Sequence, residues 1–361
     1  MKVQIVLGAA FGDEGKGVTT QYLVKEALSR NEKVAVVRFS GGPQAAHTIV
    51  NNGIEHICSS YGSGVLLGVP TIYTSEVFFD PICAYNEYKV LKYKCSTLNP
   101  TLYLAAYQRV ITPYDVIAGR NNLKVLKDGT CGKGLYTTFK RYQSASYETV
   151  YSFSIDKWHD ILKKARFKYK ADINEELEDL YDEAIRKLPK QYIMNTEYQL
   201  NQYDTIIVEG TQGLLLDMDN GFYPNVTPSK VGLNGLPYYL LNNAEVFLVS
   251  RTYLTRHGNG YVPKHKCPYD LSTKHETNVY NDYQGNFKVG DIEWDLLNFA
   301  YHRHCIDNYI KQYNITLNMV FTHLDVLPIG VDFFDIAKRN IKFHVDNFYG
   351  NASVNSNLLH Y

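Results

Sequence analysis

Short apolar runs punctuate the chain at 3–8, 34–39, 205–210, 244–250 and 317–323. Each is rich in Val or Ile, and most give way at once to Gly, Ser or Asp. Runs of this length without polar breaks read as strands buried on both faces, as in parallel sheets. Between them the spacing turns helical. Residues 17–30 place Val18, Tyr22, Leu23 and Leu28 at helix-like intervals. The acidic stretch 172–188 repeats Leu177, Leu180, Tyr181 and Ile185 at three- and four-residue steps. Strand–loop–helix alternation predicts an α/β fold with a largely parallel central sheet. Region 75–200 is more helical and polar, and is expected to form insertions above that sheet. No repeat, low-complexity tract or clear linker divides 1–361, so a single domain with insertions is expected.

Composition narrows the class. The chain has 361 residues, 45% hydrophobic and 20% charged, which is globular rather than disordered. Its 37 basic and 37 acidic residues cancel, leaving no strong field to steer nucleic acid or an acidic membrane. Neither partner is expected. Tyr is unusually common, at 31 residues, and this has no functional reading. The six cysteines form no CxxC pair. A chain this long can bury a core without disulfides, so they read as free thiols of a reducing compartment. There is no signal-peptide pattern and no run of about 18 apolar residues. The expected address is cytoplasmic.

Four stretches carry chemistry. The first, GAAFGDEGKG (8–17), follows strand 3–8 and precedes a helix. It is not an ordinary P-loop, because Ala10 and Gly17 stand where a Gly and a Ser/Thr belong. Backbone N–H groups at a helix start still favour phosphate. Gly12, Gly15 and Gly17 permit close approach, and Lys16 can reach a phosphate oxygen. Asp13 would repel phosphate unless it binds Mg²⁺ or takes a proton from a substrate. The bland alternative is a Gly-rich turn with a solvated Asp13–Glu14 pair. The second stretch, SGGPQAAHT (40–48), surrounds His47 with small residues; a lone His is more often structural than catalytic. The third, 208–229, runs from Glu209-Gly210 through Gln212 to Asp217, Asp219 and Asn220. The calcium-loop spacing is incomplete there, and a polar loop is the plain reading. The fourth, FTHLDVL (321–327), reads as a strand ending in Asp325, whose carboxylate could pair with two adjacent donors of a guanine. HRHC (302–305) reads as no metal site, since residues two apart on a helix face different ways.

In this order the four stretches resemble the adenylosuccinate synthetase family. Its GxQWGDEGKGK appears as GAAFGDEGKGV, GGxNAGHT as GGPQAAHT, and EGAQGxxLDxDxGxYPYVTS as EGTQGLLLDMDNGFYPNVTPS. Its STRVGxGPFPTE appears as LTRHGNGYVPKHK (254–266), and TKLDVL as THLDVL. The resemblance spans roughly 3–327 and implies a P-loop-like nucleotide-binding fold of that type. It also implies a reaction: GTP phosphorylates the 6-oxygen of IMP, and the amino group of aspartate then displaces the phosphate. By resemblance Asp13 is the base and a Mg²⁺ ligand, with Ala46 at the other metal position. His47 assists the 6-oxygen, and Lys16 with Gly15 and Gly17 holds phosphates. Gly12, Glu14, Gln44, Thr48, Thr130 and Cys131 fall at nucleotide-binding positions. So do Gln212, Thr227, Arg256 and His323, while Asp325 matches the guanine-reading carboxylate. The family works as a homodimer, and Arg141 is the candidate for an arginine reaching the partner subunit.

The departures concern substrate choice. The family's aspartate loop, TTGRRRRxGWLD, corresponds to TNVYNDYQGNFKVGDIEWD (277–295), where only Lys288 remains as a cation. Two carboxylates are better clamped by guanidinium forks. Cys131 and Lys133 replace a Thr and an Arg. The chain is shorter than the bacterial enzymes, and its C-terminal FYGNASVNSNLLHY only faintly matches their base-binding segment. Some short viral relatives act on dGMP, and in several of these the loop Asp is replaced, often by Ser. Asp13 is kept here, which favours IMP; the short chain and absent arginines favour a guanine mononucleotide. A catalytically inactive homologue is the remaining alternative.

Overall fold

The apolar runs form the sheet they predict. The computed structural model describes residues 1–144, 150–151, 155–261, 263–271, 276–278, 280–352 and 358–361. Ten strands make one sheet: β1 (Lys2–Gly8), β2 (Val34–Arg38), β3 (Thr71–Tyr73), β4 (Leu102–Ala105), β5 (Gln191–Ile193), β6 (Thr205–Gly213), β7 (Glu245–Arg251), β8 (Thr316–Thr322), β9 (Asn347–Gly350) and β10 (Leu359–His360). The spatial order is β5-β4-β3-β2-β6-β1-β7-β8-β9-β10. Every neighbouring pair is parallel except the last, β9 with β10. β1 lies at the centre, pairing Val3 with Ile206 on one side and Ile5 with Val246 on the other.

Side chains alternate across the sheet. Ile5 and Leu7 enter a core shared with Leu297, Ala300, Ile306, Phe333 and Ala337 of three C-terminal helices. Val6, Val36, Ile207 and Val249 face the opposite way, against Leu23, Val24 and Ala27 of the helix Lys16–Ser29. The buried face of that helix is therefore Leu23–Val24–Ala27, and Leu28 points outward. The acidic stretch forms the helix Glu175–Lys187, capped by the Asn174 side chain. Its three acidic first-turn residues and its basic last turn both complement the helix dipole. It buries Tyr181, Ala184 and Ile185, while Leu180 is exposed.

Region 75–200 is more than an insertion above the sheet. Its strands β4 and β5 extend the sheet edge itself. Its helices, with Trp158, Ile161, Tyr181 and Ile185, pack a second core that includes Tyr61 and Leu104. The HRHC helix ends at Arg303, and His304 then bonds the Leu214 carbonyl through Nε2 at 2.9 Å.

Candidate functional site

Parallel strands deliver their C-terminal ends to one edge of the sheet, and ligands bind there. Three of the four chemistry-bearing stretches begin at such ends: 8–17 after β1, 40–48 after β2, and 323–327 after β8. The fourth includes the end of β6. The sheet topology thus gathers segments that are hundreds of residues apart in sequence.

In the first loop Asp13 adopts φ 61°, a conformation Asp tolerates, between Gly12 at 95° and Gly15 at 99°. Its two carboxylates part company. Glu14 turns inward and is almost wholly buried. Its carboxylate accepts the Gly12 N–H at 2.7 Å, the Ala10 N–H at 3.2 Å and the Lys16 ammonium at 2.5 Å. A solvated Asp-Glu turn is thereby excluded. Glu14 is an internal anion that organises the loop, with Lys16 as its counter-ion. Gly8 and Gly213 leave the space this carboxylate needs, since a Cβ at either would meet it. Asp13 instead lines a cavity, and its carboxylate makes no hydrogen bond or ion pair among the described residues. Burial pushes that carboxyl above its ordinary value, while His257, Arg251 and Lys16 pull against the shift.

Across the cavity, His47 begins the hairpin strand His47–Asn51, and its neighbours explain its setting. Nδ1 lies 2.7 Å from Oε1 of Glu209, a fully buried β6 residue. Glu209 also accepts the Ser63 N–H at 3.1 Å and the Ser63 hydroxyl. Burial works to raise the Glu209 carboxyl, but His47, Arg38 and Ser63 outweigh it and hold the group below the usual range. Burial pushes the His47 ring below its ordinary value, against the attraction of Glu209. His47 Nε2 is buried with no partner among the described residues. Glu209 thus fixes the orientation of the ring and leaves Nε2 for a ligand.

The cavity has a volume of about 540 Å³. It joins Asp13 and His47 to Gly12, Gln44, Ala46, Thr130, Cys131, Gln212, Thr227 and Arg256. Both amide atoms of Gln44 are buried and unpartnered among the described residues. Burial raises the Cys131 thiol. Glu14, Gly15, Lys16, Gly17, Thr48, Lys288, His323 and Asp325 lie outside its wall. Several of these brace it. Thr48 Oγ1 meets Thr277 Oγ1 at 2.9 Å, tying the hairpin to the 277–295 segment. Lys288 donates to the Gly258 carbonyl at 2.6 Å. Thr322 donates to the Glu14 carbonyl at 2.7 Å, setting the THLDVL segment against the first loop. Strand β8 ends at Thr322 rather than Asp325, and exposed Asp325 sits in the 3-10 turn that follows.

Two arginines are committed to internal partners, which removes the inter-subunit reading of Arg141. Arg141 is buried, with Nε and Nη2 each 2.9 Å from Asp115, so it is not free to reach a second subunit. Arg251 donates to the Asp13 carbonyl at 2.5 Å and pairs with Glu276 at 2.8 Å. Glu209 was visible only as a strand-end residue, and its pairing with His47 needs the fold. A cluster of His56, Cys58 and Glu87 lies outside the cavity. There Glu87 already receives the Ser59 and Ser60 N–H groups and the Ser59 hydroxyl, so it anchors a loop.

A phosphate-type loop at a sheet edge, beside a free carboxylate and a carboxylate-oriented histidine in a deep cavity, defines a nucleotide-handling α/β enzyme. The family model for adenylosuccinate synthetase matches residues 5–337, and the chain belongs to that family of ligases of purine biosynthesis. Adenylosuccinate synthetase of Azobacteroides pseudotrichonymphae genomovar. CFP2 is 28% identical over 374 residues, covering 96% of this chain and 83% of that one. The Bacteroides thetaiotaomicron protein of the same name is 30% identical over 373 residues, covering 96% and 82%. Among solved structures, fully ligated adenylosuccinate synthetase from Plasmodium falciparum matches with a TM-score of 0.70 at 22% identity, over 91% of this chain and 78% of that one. Cyanophage S-2L succinoaminodeoxyadenylate synthetase (PurZ), bound to dGMP and to dATP as an energy donor, matches at 0.65 and 16% identity, over 99% and 95%. No helix among the described residues is long and apolar enough to cross a membrane.

Proposed function

We propose that the chain joins L-aspartate to the 6-position of IMP with GTP as phosphoryl donor, giving adenylosuccinate, GDP and phosphate. The observation that carries this reading is the pairing of Asp13 and His47 Nε2 on one cavity, both without partners among the described residues. A 6-oxygen is a poor leaving group, and phosphorylation makes it a good one. Asp13 removes the N1 proton, which moves negative charge onto the 6-oxygen for attack on the γ-phosphorus. His47 faces that oxygen. Glu209 accepts the Nδ1–H and offsets the imidazolium that forms when Nε2 takes a proton from solvent before the transfer, so the histidine can donate that proton to the transferring group. The amine then displaces phosphate.

Mg²⁺ suits the oxygen donors here: the unengaged Asp13 carboxylate and the Ala46 carbonyl line the same cavity. Bound there, it would offset phosphoryl charge. Lys16, neutralised by Glu14, acts by holding the loop whose N–H groups meet the phosphates, and Asp325 reads the guanine of GTP. A homodimer and a cytoplasmic setting accompany this reading.

A second reading, a (d)GMP-directed ligase giving the 2-amino product, is favoured by the match to PurZ over 95% of that chain. Phosphate release separates the two. Release with IMP supports the first; release with dGMP or GMP alone transfers the assignment to the second. Equal rates with ATP and GTP would count against the role of Asp325.

A further inference from the structure

The proposed reaction needs an anionic amine donor, yet the segment 277–295 offers no arginine. Among the described residues, three cations near the cavity have internal partners. Lys288 is held by the Gly258 carbonyl, Arg251 by Glu276, and Lys140 on the rim by Gln143 at 3.1 Å. Two consecutive wall residues differ. Arg256 donates through Nε and Nη2 to the Asn259 and Asn225 carbonyls, but it has no carboxylate partner among the described residues. Its guanidinium lies 4.5 Å from the Phe11 ring centroid, its Nη1 is buried and unpartnered, and burial lowers it to about 10. His257 also faces the cavity, with its ring 4.9 Å from that of Phe287 and Nδ1 buried and unpartnered.

A buried donor without a partner is costly unless a ligand supplies one. Arg256 adds uncompensated positive charge to the same wall, so the missing partner is an anion. Because His257 lines the same cavity as Asp13 and its ring packs on Phe287 of the 277–295 segment, that anion belongs to the amine donor. We propose that His257 is a specificity-determining residue that donates through Nδ1–H to a carboxylate of the amino-acid substrate. It thereby replaces part of the absent guanidinium clamp. This inference rests on the ligase reading above.

The test is calorimetric titration of the full chain with L-aspartate, after loading with IMP and a non-hydrolysable GTP analogue. H257V should weaken aspartate binding by about 10- to 100-fold, the range for losing one hydrogen bond to a charged group. Affinity for both nucleotides should stay within about twofold, a change too small to reflect a lost contact. H257Q keeps an amide donor and should recover most of the loss. Failure of the wild type to bind aspartate, equal affinity in wild type and H257V, or a parallel loss of nucleotide affinity in both variants would overturn the assignment. If the wild type binds aspartate through His257 but releases no phosphate with any purine mononucleotide, the subsite stands and the ligase reading falls.

Discussion

Two acidic neighbours in one loop show how position decides chemistry. Glu14 accepts from a cage of N–H donors and an ammonium, whereas Asp13 is left facing the cavity without such donors. The sign of the Asp13 shift has two consequences. A carboxyl raised by folding brings stability that is present below the ordinary carboxylate value and is lost as pH rises through the raised value. Once ionised, the group therefore opposes folding. Asp13→Asn should unfold at a temperature no lower than wild type at pH 7, yet lose about 10²- to 10⁴-fold in turnover. Thermal melts and phosphate release on the same sample check both; full turnover would remove Asp13 as the base. For Glu209, which orients rather than reacts, Glu209→Gln should lower kcat by about 10- to 100-fold, the loss of one charge-assisted hydrogen bond. KM for both nucleotides should be little changed. A rise in those KM values with kcat intact would make Glu209 a binding residue instead.

Elements set which of these residues could be read in advance. Strands β1, β2, β6, β7 and β8 stand out in the sequence because both faces are buried and their runs are unbroken. The peripheral strands β3, β4, β5, β9 and β10 have two to four residues, too short for periodicity to register. Two of them hid the true nature of region 75–200. The glycine-rich stretches were legible because close approach demands particular residue types. His47–Glu209 was not, because their separation of 162 residues is closed only by the sheet. The role of Arg251 is likewise an inter-element property: it ties the first loop to Glu276. Glu276→Gln removes the counter-charge of Arg251 and leaves more of its positive charge acting on Asp13. The Asp13 carboxyl should then fall, and the acid limb of the rate–pH profile should move to lower pH. A limb that stays put, or moves up, would show that Arg251 does not tune the base.

On the scale of the whole molecule, ten strands drawn from residues 2 to 360 converge so that segments following β1, β2, β6 and β7 meet around one cavity. The family is legible from the residues at those strand ends. Substrate choice is less so, because it depends on the walls at 129–131, 256–259 and 277–284, where residue types depart from the family pattern. The most direct measurement is phosphate release by the wild-type chain with GTP, IMP, aspartate and Mg²⁺, each omitted in turn. Release that requires all four is the expected result. Release from GTP that proceeds unchanged without IMP or without aspartate would contradict a ligase acting through a phosphorylated purine.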